Sequence, residues 1–227
     1  MQITEIYKSI QGESTHAGLP CVFVRLTGCN LRCSWCDSEY TFTGGHRMTI
    51  EEIENEVEGL SPRGGLVEIT GGEPMLQERE LIPLMERLLT DGYTLLLETS
   101  GERPLGRVPR PVIKIVDVKC PGSEEGDSFD LENLESLQPH DEVKFVLSDR
   151  ADYEFARDFT LRHHLAARVK AVLFSPAFSK HASGARDTTH CLLDPQELAE
   201  WMLADHVPAR LGLQMHKFIW SPELKGV

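Results

Sequence analysis

Three cysteines fall within eight positions of the segment TGCNLRCSWCDS, residues 27–38: Cys29, Cys33 and Cys36. The gaps between them are three residues and then two, and no fourth cysteine follows nearby. A structural zinc asks for four ligands in a closed tetrahedron. The remaining candidates are Cys21, ahead of the same run, the remote Cys120 and Cys191, and His46 ten residues beyond Cys36. Cys33-Ser34-Trp35-Cys36 has the spacing of a redox dithiol, but not the strand feeding directly into a helix that accompanies such motifs. An iron–sulfur cluster fits better. Four-iron clusters are held by cysteine thiolates, and three thiolates leave one iron open to an amine and a carboxylate of a small molecule.

Such a loop needs a rigid frame. CVFVRLTG (21–28), LVEIT (66–70), YTLLLET (93–99), VIKIVDVK (112–119), DEVKFVLS (141–148), AVLFSP (171–176) and RLGLQMHKFIW (210–220) read as strands. Several are almost continuously apolar, as buried parallel strands are. Helical segments alternate with them. Thr49 and Glu52 form a capping box ahead of Ile50, Ile53, Val57 and Leu60. Asp194-Pro195 with Glu197 starts another helix, and residues 149–164 and 76–90 read as two more, with Pro83 early in the second or kinking it. The order implies an α/β fold with right-handed crossovers, a single domain over residues 1–227. About six parallel strands are too few for the eight-stranded barrel. An incomplete, TIM-like β/α barrel is the expected architecture and a doubly wound sheet the alternative. Either way the ligand belongs at the carboxyl ends of the strands, where GCNLRC, GGEP, TSG and KCPG begin.

The totals narrow the classes. A formal net charge of -13 argues against broad binding to nucleic acid or anionic membrane, which need a basic face. No apolar run approaches the ~20 residues that span a bilayer, and the first residues carry no secretion signal. A cytoplasmic protein is expected, with its six cysteines as thiols or metal ligands rather than disulfides.

CNLRCSWC resembles the cluster loop of the radical S-adenosylmethionine enzymes, including the aromatic Trp35 before the third cysteine, and TGGEP (70–74) resembles their glycine-rich element. EIYKSIQGES, FVRLTGCNLRCSWCDS and LQMHKFIW narrow the likeness to the 7-carboxy-7-deazaguanine synthase family, over nearly the whole chain. The resemblance implies a reduced radical-enzyme barrel, a homodimer, and lyase activity in 7-deazapurine and queuosine biosynthesis. In that reaction 6-carboxy-5,6,7,8-tetrahydropterin becomes 7-carboxy-7-deazaguanine and ammonia. It further implies a [4Fe–4S] cluster, S-adenosylmethionine, Mg2+ and an electron donor of flavodoxin or ferredoxin type. Two other functions share some of these residues: an activase that makes a glycyl radical on a partner protein, and a zinc-stabilised binding module.

By the same resemblance Cys29, Cys33 and Cys36 bind the cluster, and the cofactor supplies a 5′-deoxyadenosyl radical, so no side chain is assigned as catalytic. Trp35, Cys36 and Asp37 flank the adenine. Gly72, Ser100 and Lys119 contact S-adenosylmethionine, as do Ser175, Pro176, Ala177 and Phe178. Ser38 stands at the magnesium position. Ile10, Gln11, Gly12 and Glu13 form the pterin-recognition stretch, with Arg25 on the substrate carboxylate, Thr70 as a hydroxyl contact and Val227 as a terminal carboxylate reaching the substrate. Asp117-Val118 replaces the family's usual Ser-Pro before the lysine. His216 and Lys217 match a family signature with no chemical role assigned.

Overall fold

The six apolar runs between residues 21 and 176 all become strands, joined by others at both ends of the chain. The computed structural model describes residues 1–180, 188–221 and 224–226. Its strands are β1 (Gln2–Ile10), β2 (Pro20–Leu26), β3 (His46–Arg47), β4 (Leu66–Gly71), β5 (Thr94–Thr99), β6 (Ile113–Asp117), β7 (Glu142–Leu147), β8 (Ala171–Pro176) and β9 (Arg210–Leu211). They form one sheet in the order β3-β1-β2-β4-β5-β6-β7-β8-β9. From β2 through β9 every pairing is parallel, whereas β1 pairs antiparallel with both β2 and β3. Six full-length parallel strands thus match the sequence expectation, and the two-residue β9 extends them.

Strand order decides between the two architectures. A doubly wound sheet reverses direction at a switch point; here each parallel strand is added beside the last, without reversal. Right-handed crossovers that all step the same way put their helices on one face and leave the other as the lumen of a partial barrel. The pleat sorts the side chains accordingly. Val22, Val24 and Leu26 of β2, Val67 and Ile69 of β4, and Val143, Phe145 and Leu147 of β7 pack into the hydrophobic core. The alternate positions Arg25, Glu68, Thr70, Glu98, Asp117 and Lys144 line a cavity instead.

The helices are α1 (Ile50–Leu60), α2 (Glu78–Thr90), α3 (Arg150–Arg162), α4 (Leu165–Arg168), α5 (Pro195–Ala204) and α6 (His216–Ile219). The predicted capping box holds: Thr49 Oγ1 accepts from Glu52 N at 3.2 Å while Thr49 N donates to Glu52 Oε2 at 2.7 Å. Asp194 caps α5 through Gln196 N at 2.7 Å. A 3-10 turn over Pro74–Gln77 precedes α2, and Pro83 lies within that helix on its exposed face.

Two segments depart from the sequence reading. Residues 2–10 form the longest strand although every second position or so is polar; β1 has only partly buried faces, so it lacks the apolar run that marks the others. RLGLQMHKFIW is not one strand. Pairing stops after Leu211, and residues 216–219 turn into α6. Gln214 and Lys217 in that run are polar and buried, and their side chains reach Glu13 and Asp37 instead of continuing a ladder.

Candidate active site

At the carboxyl ends of the strands lies a cavity of about 600 Å3, within the range of small-molecule sites. One end belongs to the cysteine loop. Cys29, Cys33, Trp35, Cys36, Asp37 and Ser38 all line it. The loop is fastened on two sides: Gly28 N donates to Thr41 O at 2.7 Å, and Glu73 N donates to Gly28 O at 2.8 Å. Across the loop, Ser34 N donates to Ser123 O at 3.0 Å and Ser34 Oγ to Gly122 O at 2.9 Å.

Glycines let this packing happen. A methyl group on Gly72 would stand 2.4 Å from Gly28 O and 2.6 Å from Cys29 Cβ. The strand end therefore presses directly on the first cysteine. Behind it Glu73, fully buried, accepts from Met75 N at 3.0 Å, Thr99 Oγ1 at 2.7 Å, Ser100 N at 2.9 Å and Ser100 Oγ at 2.7 Å. That carboxylate ties the end of β4 to the end of β5, so the Ser100 hydroxyl hydrogen is committed to Glu73 even though the residue lines the cavity.

The other end of the cavity is a nest of charges. Lys144 is buried with Nζ 2.7 Å from Glu13 Oε2, bonded also to Glu98 Oε1 and 3.8 Å from Asp117 Oδ2. Asp117 in turn accepts from Lys119 Nζ at 2.7 Å. Glu13 Oε1 accepts from Gln214 Nε2 at 3.0 Å, and His216 Nδ1 stands 3.8 Å away. Burial works to raise the Glu13 carboxyl, but Lys144 and His216 outweigh it and hold the group at about 2. Glu68 goes the other way: burial and the neighbouring Glu98 carboxylate push it well above the usual carboxylate range. Arg25 donates from Nε to Glu5 Oε1 and from Nη2 to Tyr7 Oη, both at 2.9 Å, and Tyr40 Oη donates to the same Glu5 oxygen at 2.7 Å.

The structure brings most predicted residues together. Ile10, Gly12, Glu13, Arg25, Thr70, Gly72, Ser100, Lys119 and Phe178 line the cavity with the cysteine loop. Gln11 lines it too, but its side chain holds its own loop: Nε2 donates to Glu68 Oε2 at 3.1 Å, and Oε1 accepts from Glu13 N and Ser14 N, each at 3.0 Å. Gly12 is glycine because His216 packs on it, Nδ1 falling 2.7 Å from the position of an added Cβ. Ser175, Pro176 and Ala177 do not reach the cavity lining, and Val227 lies outside the described residues. His46 is exposed on β3 and does not line the cavity. Glu68, Glu98 and Lys144 were not singled out from sequence. Their signal was there, since a charge inside an apolar strand needs a partner.

The profile of the Radical SAM superfamily matches residues 23–118. A 7-carboxy-7-deazaguanine synthase of Koribacter versatilis is 68% identical over 227 residues, with both chains covered in full. The chain belongs to the 7-carboxy-7-deazaguanine synthase family. A synthase of Chlorobaculum tepidum is 38% identical over 100% of this chain and 97% of its own. QueE from Escherichia coli, at 24% identity, shares the fold with a TM-score of 0.69 over 95% of this chain and 94% of that one. Membership makes this chain a radical S-adenosylmethionine lyase with a [4Fe–4S] cluster.

The residues of this family member fit that cluster. Three thiols ring one end of one cavity. Among the described residues no three His, Cys, Asp or Glu groups converge as ligands of a single ion do. The thiolates of a four-iron cluster bind separate irons and need only surround a shared space. Burial raises the Cys29 and Cys33 thiols, the latter to about 11, so a cluster that binds them must displace their protons.

Proposed function

We propose that this cavity binds 6-carboxy-5,6,7,8-tetrahydropterin and carries its ring contraction to 7-carboxy-7-deazaguanine and ammonia. The observation that carries the reading is the polarity of the cavity: three thiols at one end, and at the other several carboxyls set round Lys144 and Arg25. Together with S-adenosylmethionine the bound cluster supplies one-electron cleavage of a carbon–sulfur bond and the carbon-radical chemistry that follows.

The chain's own residues bind, orient and hold protons. Glu13, kept ionised, accepts N–H groups of the aminopyrimidinone, and Glu68 lines the cavity beside it. Arg25, steadied by Glu5 and Tyr7, turns further guanidinium hydrogens to the substrate carboxylate. Thr70 and Lys119 line the same cavity. Ser38 contributes a magnesium ligand: it heads the 3-10 turn Glu39–Thr41 without capping it, so its hydroxyl is not used by the backbone there. Magnesium prefers oxygen and keeps waters, which suits one hydroxyl with the substrate carboxylate. Both ends of the chain build the cavity, consistent with one domain. A cytoplasmic homodimer served by a flavodoxin or ferredoxin completes the proposal.

The test is incubation of the anaerobically purified protein with the carboxytetrahydropterin, reductant, magnesium and S-adenosylmethionine. The expected result is iron and sulfide in the protein, deazaguanine product and ammonia. Zinc in place of iron, or no product from an iron-loaded protein, overturns it.

A further inference from the structure

Lys217 has no place in the scheme so far, yet it is among the most buried lysines of the protein. Its Nζ lies 2.7 Å from Asp37 Oδ2, donates to Gln214 Oε1 at 2.9 Å and stands 5.0 Å from the centre of the Phe178 ring. Three parts of the cavity wall therefore meet at one ammonium: the end of the cysteine loop, the strand β8 exit, and the segment leading into α6. The contacts continue beyond it. Gln214 Nε2 donates to Glu13 Oε1, and Glu13 Oε2 binds Lys144, which faces Asp117 and so Lys119. A belt of charged side chains, bridged by Gln214, runs from the residue after Cys36, through the pterin-recognition stretch, to Lys119 just beyond β6.

Asp37 is the point where the belt touches the cofactor side. Half of its side-chain surface opens onto the cavity, and its carboxylate is ion-paired with Lys217 Nζ. A backbone that follows its third cysteine by one residue has no secondary structure of its own at this point. The backbone on either side is held, by Cys36 N donating to Cys33 O at 3.2 Å and by Thr41 N donating to Ser38 O at 2.9 Å, and Lys217 supplies the tether at the Asp37 side chain.

We infer that Lys217 is a positioning residue that fixes the Cys36–Asp37 corner of the cysteine loop and thereby shapes the S-adenosylmethionine pocket. The inference rests on the family reading of that pocket. It assigns a task to the second residue of the His-Lys pair, which acts through Asp37 and makes no contact with the reacting atoms.

The experiment is titration calorimetry of S-adenosylmethionine into the anaerobically reconstituted holoprotein, alongside iron analysis. The variants are Lys217→Met, Asp37→Asn, their double and Lys217→Arg. Losing one charge-assisted hydrogen bond at a half-open site weakens binding about tenfold. Each single variant is expected to show that loss with full iron content. The double variant loses no more than either single, because both changes break one link. Lys217→Arg, which retains a cationic donor, recovers most of the affinity. Unchanged affinity in Lys217→Met overturns the inference, as does a double variant whose loss is the product of the two singles. If Lys217→Met does not fold, Asp37→Asn decides alone, since it removes the charge at the open side of the pair; wild-type affinity there overturns the assignment. Failure of the wild-type protein to bind S-adenosylmethionine would instead overturn the family reading beneath it.

Discussion

Gly72→Ala tests how tightly the glycine-rich strand end governs the cysteine loop. The added methyl would lie 2.4 Å from Gly28 O, 2.6 Å from Cys29 Cβ and 2.8 Å from Gly28 C. Ordinary carbon contacts begin near ~3.5 Å, so relief demands a displacement of about 1 Å. The obstructing atoms are backbone and a Cβ, and none can rotate aside. Gly28 is itself pinned on both sides, by Thr41 O and by Glu73 N. Overpacking of this kind costs about 1–3 kcal/mol. For a chain of this size that lowers Tm by roughly 2–4 °C per kcal/mol, or about 2 to 12 °C. A shift of about 1 Å in Cys29 relative to Cys33 and Cys36 costs about a hundredfold in turnover. The decisive measurement is iron per chain without added S-adenosylmethionine, because the clash is with the loop and not with a ligand. Iron content and Tm are both expected to fall. A variant with wild-type Tm, full iron and weakened S-adenosylmethionine affinity alone would refute the packing argument and leave only a ligand contact.

Two further outcomes follow from the charged end of the cavity and the loop. Lys144→Met leaves Glu13, Glu98 and Asp117 facing one another without their common cation; urea unfolding at neutral pH should show a loss of about 3–5 kcal/mol, and a loss below about 1 kcal/mol would contradict the hub role. Ser38→Ala should raise the magnesium concentration needed for half-maximal turnover while leaving iron content intact, and an unaltered magnesium titration removes Ser38 from the metal site.

The frame was legible because its strands are short, almost continuously apolar runs. In LVEIT and DEVKFVLS the residues at every second position pack under the helices, so the strands announce themselves through Val67, Ile69, Val143 and Phe145. The spacing of the cysteine loop drew attention to it, and the resemblance to a known family gave it a role. Less readable was the far end of the cavity. Glu68, Glu98 and Lys144 each sit in a different strand, and only the lateral register, which places Asp117 opposite Lys144 and Glu68 opposite Leu96, brings them to one point. No local pattern encodes that juxtaposition. Gln11 shows the reverse failure. Its donors and acceptor suit a pterin on paper, but the turn at residues 13–14 and Glu68 claim them first. The segment 210–220 misled for a related reason. Its apolar residues suggest a strand, but burying Gln214 and Lys217 against Glu13 and Asp37 wins over further pairing with β8.

The Gln214–Glu13 hydrogen bond joins residues 201 positions apart. Neighbouring parallel strands can assemble in order as the polypeptide emerges, each against the one before it. This link has no such route: loop closure over that distance is entropically costly and comes late. Before it forms, Glu13 lacks Gln214 and His216, and Asp37 lacks Lys217. A nascent or partly unfolded chain can therefore possess a nearly finished barrel and still lack one wall of its cavity. Loosening of residues 212–220 would undo these contacts long before spectroscopy of the sheet registered any change.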